Sequence, residues 1–257
     1  DLCCGIGGDL MALATYFDTT GVDIDPTIAW IAEHNANVTR TTGTVNLLAI
    51  DAGNADLEST DWVHLDPDRR ADGQRHTALE GYCPPPSFID VLLAHNRLGK
   101  YGLSIKLAPA TQVPEQWHSQ MASCQWIQSR GECRQQLVIF STNSQPRTKQ
   151  AVGVTSNGTA EWVFSVAHDK LHDCNNVAVA NTCQTYIYEP APAIRAAGLS
   201  NSWAHQYQLT AIHRRFSYYT SNEQLSPPGG SRFRVVEEMT FDRKQIKQWL
   251  RARFEIG

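Results

Sequence analysis

Along the first hundred residues, short apolar runs alternate with stretches of helical period, and acidic residues close several of the runs. Leu10, Leu13, Ala14 and Phe17 share one helical face, which predicts a helix from Leu10 to Phe17. Gly21-Val22-Asp23-Ile24-Asp25 reads as a short strand ending in acid. Pro26 then suits the first turn of a helix that carries Ile28, Trp30 and Ile31. Val45 to Ile50 is an almost continuous apolar run, the pattern of a strand buried on both faces, and Asp51 closes it. Trp62 to Leu65 is the next strand, closed by Asp66-Pro67. A polar, arginine-bearing loop leads to Pro86, a helix runs from Ser87 to about Asn96, and Tyr101 to Leu107 is a fifth strand.

Further on, Gln136 to Ser141 and Trp162 to Val166 read as a later, antiparallel pair. From about Tyr186 the character changes: Pro190, Pro192, Pro227-Pro228 and Gly229-Gly230 punctuate short elements, and a helix from Asp242 to Phe254 ends the segment. Strand-helix alternation with acids at the strand ends predicts an α/β fold: a doubly wound, mostly parallel, Rossmann-like sheet. Residues 1–185 would form this domain and residues 186–257 a small α+β domain. No internal repeat or low-complexity run interrupts the pattern.

The chain starts on Asp1-Leu2-Cys3-Cys4-Gly5-Ile6-Gly7-Gly8-Asp9. Such a glycine-rich turn follows a buried strand, of which only the last residues stand here. A central strand cannot be missing without unpaired ladder groups, so the expectation is that the strand extends upstream of Asp1. Glycines in the turn allow a ligand to approach the backbone. Asp23, about 20 residues on at a strand end, can accept both ribose hydroxyls of an adenosine or stand as a solvated strand end.

The spacing of the glycines discriminates between adenosine cofactors. A dinucleotide site uses G-x-G-x-x-G, and counting from Gly5 its last glycine falls on Leu10. Asp9 at the helix start would also repel a pyrophosphate. A cationic sulfonium with an amino-acid tail tolerates that acid better, so S-adenosylmethionine fits where a nicotinamide cofactor does not. Asp51 is either the acceptor for an adenine amino group or a turn acid. Asp66-Pro67 lies where such sheets place their chemistry, and its carboxylate can take a proton or hold a substrate N–H in line with the sulfonium.

These stretches resemble the successive motifs of class I methyltransferases. More narrowly, the chain resembles bacterial methyltransferases with a C-terminal THUMP-like domain, related to the RNA cap guanine-N2 (trimethylguanosine synthase) enzymes. The matching stretches are DLCCGIGGD, VDIDP, LDPDRR, YCPPPSF from Tyr82 to Phe88, IKLAP from Ile105 to Pro109, and YIYEPAPAIRAAGL from Tyr186 to Leu199. The resemblance implies donor binding by Asp1, Gly5, Gly7, Asp23, Asp51 and Ala52, with Asp66 and Pro67 on the substrate side. Two positions depart from it. Cys3 stands where many methyltransferases have the first glycine of the loop, which should narrow the turn. Amino-group methyltransferases follow Asp/Asn-Pro-Pro with an aromatic that stacks on the base, whereas Asp66-Pro67 is followed by Asp68-Arg69-Arg70.

Arg69, Arg70 and Arg75 sit in the loop over the expected crevice. They could take phosphate or carboxylate, or pair with Asp68 or Asp72. Lys106 is either a snorkelling structural lysine or a second substrate contact. Charge adds a hint of the partner: residues 1–186 hold 12 Lys+Arg against 20 Asp+Glu, and residues 187–257 hold 10 against 6. His213-Arg214-Arg215, Arg232 and Arg234, with Phe216, Tyr218 and Tyr219, could form an RNA-facing surface, unless those aromatics are core. Seven cysteines include no C-x-x-C pair, so neither a zinc site nor a disulfide framework is expected. No stretch approaches the roughly 18 apolar residues of a membrane span, and none resembles a signal peptide, so the chain reads as cytoplasmic. The expectation is an RNA methyltransferase acting on a base nitrogen; the alternative is a donor-binding scaffold or RNA/protein adaptor with little catalysis.

Overall fold

The computed structural model of the chain describes residues 1–257 except 40, 70–72, 74–75, 96, 144–146, 172–176 and 255–257. Its first half alternates as α1 (Gly8–Ala14), β1 (Thr19–Asp23), α2 (Pro26–Thr39), β2 (Val45–Ala49), β3 (Trp62–Leu65), α3 (Pro86–Ala94) and β4 (Gly102–Leu107). β1 pairs with β2 and β3 with β4, both in parallel. Leu2 forms parallel bridges to Val22 of β1 and Leu65 of β3, which joins the two pairs into one sheet. Counting Leu2 as the first strand position, the spatial order is third, second, first, fourth, fifth. That order reverses beside Leu2, and in a doubly wound sheet the crevice at such a reversal receives the ligand.

β5 (Met121–Ser129), β6 (Glu132–Ser141), β7 (Thr148–Val154) and β8 (Ala160–Ala167) extend the sheet in the order β3-β4-β6-β5-β7-β8. Gln136–Ser141 and Trp162–Val166 do not pair with each other as their pattern suggests. These segments are β6 and β8, and two strands separate them. β6 lies antiparallel between β4 and β5, β5 and β7 are parallel, and β8 is antiparallel to β7. β5 buries Met121, Cys124 and Trp126 while Ser and Gln residues stand between them, so no continuous apolar run announced it.

α2 also differs from its pattern. Its buried face is the alanine stripe Ala29, Ala32 and Ala36, whereas Trp30 is 65% exposed. Small residues are needed because the glycine turn comes close: a Cβ on Gly7 would lie 3.4 Å from that of Ala32. β2 is only partly buried, because it is an edge strand bonded to β1 alone. α1 stops at Ala14, whose carbonyl accepts the Gly43 N–H at 2.8 Å, and Phe17 is left outside the helix.

Beyond residue 185, β9 (Tyr186–Pro190), α4 (Pro192–Ala196), α5 (Ser200–Gln206), β10 (Thr210–Ala211), β11 (Tyr219–Ser221) and β12 (Gly230–Arg234) build an antiparallel sheet of order β10-β11-β9-β12 with two short helices. α4 packs against β5, β6 and β7. Tyr188, Ile194, Trp203 and Tyr219 belong to the same hydrophobic core as Leu65, Ile105 and Phe140. The final helix, α6 (Arg243–Phe254), starts where Asp242 caps the Lys244 and Gln245 amides, and it buries no residue. No helix among the described residues is long and apolar enough to cross a membrane.

Candidate active site

A cleft of about 580 Å³ opens at the carboxyl ends of β1, β2 and β3, within the roughly 300–1,000 Å³ usual for small-molecule sites. The turn between Leu2 and α1 forms one wall. Cys3, Gly5 and Gly7 have φ of +60°, +54° and +92°. Gly5 lines the cleft, and a Cβ there would meet no protein atom within 4 Å. Cys3 adopts the left-handed conformation that a glycine would take freely, a strain of order 1–3 kcal/mol held by the surrounding sheet. Burial, with Asp23 nearby, pushes its thiol up to about 12, so the side chain meets the cleft as a neutral thiol.

Two carboxylates on this side are gripped by backbone amides. Asp23 Oδ2 accepts from the Gly5 N–H and Oδ1 from the Asp25 N–H, both at 3.0 Å. Asp51 Oδ1 accepts the Gly53 N–H at 2.7 Å and caps the 3-10 turn Ala52–Asn54. Around them stand Ile6, Ile24, Ile28, Ile50 and Phe88. Ile6 is 59% and Ile24 70% exposed, apolar side chains held open to the cleft instead of packed into the core. A flat heteroaromatic ring is the kind of ligand that covers such a wall.

The opposite wall carries Asp66, Pro67, Asp68 and Arg69. Asp68 and Cys83 exchange backbone hydrogen bonds at 2.8 Å, which ties this loop to the Tyr82–Phe88 segment. Asp66 Oδ2 lies 2.8 Å from Lys106 Nζ, and the same nitrogen reaches Asp9 Oδ2 at 2.6 Å. Arg69 Nη1 is buried and meets no hydrogen-bond partner, and neither do the two buried carboxylate oxygens of Asp1. Four aspartates and one arginine line the described cleft, a balance that suits a cationic ligand better than a pyrophosphate. Among the described residues no group of three or more His, Cys, Asp or Glu is placed to hold a metal ion.

No protein-family model matches the chain. Two relatives from Mycobacterium tuberculosis, of strains CDC 1551 / Oshkosh and ATCC 25618 / H37Rv, are each 25% identical over 263 residues. Both are described as uncharacterized S-adenosylmethionine-dependent methyltransferases. The match takes in 98% of this chain, which spans 66% of the length of these relatives. A crystal structure of a candidate methyltransferase from Porphyromonas gingivalis W83 superposes with a TM-score of 0.79 at 20% identity, over 98% of this chain and 64% of that one. The chain has an α/β, Rossmann-like methyltransferase fold.

Within the methyltransferase fold, the residues expected from sequence separate into two sets. Gly5, Asp23, Asp51, Ala52, Asp66, Pro67 and Arg69 come together on the cleft, while Asp1, Gly7 and Lys106 do not line it. Gly7 serves the close approach of α1 to α2, and Lys106 stands behind Asp66. Asp9, read from sequence as a discriminator between ligands, turns instead to Lys106 and His64. Among the described residues, Asp66 pairs with Lys106. Arg70, Asp72 and Arg75 lie outside the described residues. Sequence reasoning missed the apolar wall. Its signal was an isoleucine directly after Gly5 and another directly after Asp23, each where a turn would ordinarily be polar.

Proposed function

We propose that the protein is an S-adenosylmethionine-dependent methyltransferase that acts on RNA at a base nitrogen. The observation that carries the reading is Asp23, an acidic strand end fixed by the Gly5 and Asp25 amides at an acidic, apolar-walled cleft. Its carboxylate would accept the ribose hydroxyls, and Asp51 would accept the adenine amino group between Ile6, Ile24 and Phe88. The Asp1 carboxylate, buried without a hydrogen-bond partner and off the cleft lining, would have to turn toward the cleft to meet the amino-acid ammonium. Bound there, S-adenosylmethionine supplies a methyl group on a positively charged sulfur, open to in-line displacement.

On the acceptor side, Asp66 would accept an N–H of the nucleophile and hold its lone pair in line; such orientation can supply up to roughly 7–11 kcal/mol. Arg69, with an unused buried donor, would take a phosphate. RNA is favoured by the net positive balance after residue 186 and by open aromatics on the small sheet. Ile187, Ile212, His213, Phe216, Tyr218 and Phe233 line a groove there together with Glu189, which is paired with Arg195, and the exposed Arg214 and Arg215 stand beside it. Bases stack on such surfaces. Tyr219 takes no part, since it is 1% exposed in the core. The kinship to THUMP-like and guanine-N2 enzymes belongs to the same proposal and rests on the motif stretches.

One observation favours a scaffold instead: Asp68 and Arg69 follow Asp66-Pro67 where a base-stacking aromatic would be needed. Tritium transfer from labelled donor to unfractionated bacterial RNA, followed by mass spectrometry of the nucleosides, separates the two. Label in a methylated nucleoside is the expected result. Donor binding with no label in RNA would favour the scaffold.

A further inference from the structure

We infer that Lys106 is a positioning residue for methyl transfer: anchored on Asp9, it holds the Asp66 carboxylate toward the cleft without touching any ligand itself. The inference rests on the methyltransferase reading above and adds a residue outside the cleft. Its basis is a chain of hydrogen bonds along one face of β3 and β4. Trp62, His64 and Asp66 alternate on that face, and Ser104 stands opposite His64 in the parallel register. Lys106 follows two residues on.

Donation runs from Trp62 to Asp9 on one side, and from Lys106 to both Asp9 and Asp66 on the other. Trp62 Nε1 donates to Ser104 Oγ at 3.0 Å, and Ser104 Oγ lies 2.9 Å from His64 Nδ1. His64 Nε2 lies 3.3 Å from Asp9 Oδ2, which also receives Lys106 Nζ; Lys106 in turn reaches Asp66 Oδ2. With the hydrogen of His64 on Nε2, each contact along the path pairs a donor with an acceptor. Five residues are ordered so that the path ends on one oxygen of Asp66, and only Asp66 among the six lines the cleft.

Stability alone does not account for this arrangement. A partly buried ion pair roughly breaks even against apolar residues of similar size, and here two carboxylates share one ammonium. Burial by itself would lower the Lys106 pKa, but the hydrogen bonds and charges of Asp66 and Asp9 together raise it, so the ammonium stays charged. A charged donor fixed to Oδ2 sets the plane of the Asp66 carboxylate. That plane decides whether an incoming N–H is held in line with the methyl group, and a misplacement of about 1 Å can cost roughly a hundredfold in rate.

The test uses the whole chain with S-adenosylmethionine carrying a 13C-labelled methyl, whose resonance in the binary complex needs no acceptor. In Lys106→Met, donor affinity should stay within about threefold, because Lys106 does not line the site. The bound methyl resonance should move by more than its linewidth. With total RNA as acceptor, kcat should fall by roughly a hundredfold while the donor KM holds. Should the loss of the ammonium unfold the protein, Asp9→Asn keeps the side-chain shape, releases the anchor, and should move the resonance in the same direction. A bound resonance that neither variant displaces overturns the role of Lys106 while leaving the donor reading intact. No bound resonance in the wild type overturns both.

Discussion

The two walls of the cleft are built from different kinds of contact. On the wall proposed to take the donor, Asp23 and Asp51 are held by backbone amides of nearby turns, across separations of 18, 2 and 2 residues. On the wall proposed to take the acceptor, Asp66 is held by side chains that converge from distant elements. Lys106 is 40 residues from Asp66 and 97 from Asp9, and His64 is 55 from Asp9. Backbone amides come with the fold of a turn and survive most substitutions. A side-chain network depends on each member, so the acceptor wall should be much the more sensitive to mutation.

The largest expected effect is on that wall. Asp66→Ala should lower turnover with RNA by roughly a hundredfold or more while donor affinity stays near normal, since orientation of the nucleophile is felt in the transition state. Single-turnover kinetics beside calorimetric donor titration would measure both. Full activity in the variant would remove Asp66 from the mechanism and leave the two walls alike. Arg69→Ala should act on binding instead, raising the KM for RNA about tenfold with kcat little changed, as expected for loss of a charge-assisted contact away from the reacting atom. A fall in kcat at unchanged KM would place Arg69 at the chemistry.

A smaller effect sharpens the comparison through pH. The hydrogen bond from His64 and the Lys106 ammonium outweigh burial and hold the Asp9 carboxyl well below the usual carboxylate range. A depressed folded-state pKa contributes stability above the unfolded value, about pH 4, and loses it as pH falls toward the folded value. Asp9 is 36% exposed, so solvent screening keeps the contribution modest. Urea melts should therefore show wild type more stable than Asp9→Asn near neutral pH, with the gap closing below about pH 4. A gap that persists unchanged to pH 2 would show that the network does not bind the Asp9 charge.

The same contrast explains what the sequence disclosed. Donor-wall acids stand at strand ends beside a glycine turn, so their spacing along the chain already describes their geometry. The first-half alternation was legible for the same reason, strand and helix each showing its own period. By contrast, Asp9 and Lys106 meet only because α1 and β4 flank β3, and nothing within ten residues of either announces it. Alternating polar residues likewise hid β5, and the antiparallel insertion of β6 is a matter of sheet order, to which local pattern is blind. Trp30 misled because a helix beside a glycine turn needs alanine on its inner face.

Calorimetric titration of S-adenosylmethionine into wild type and Asp23→Ala asks directly whether the cleft beside Asp23 receives the donor. One site per chain is expected in the wild type. The variant should bind about 30-fold more weakly, the equivalent of losing roughly 2 kcal/mol of charge-assisted hydrogen bonding. Equal affinity in the two proteins, or no binding in the wild type, would contradict donor binding at Asp23.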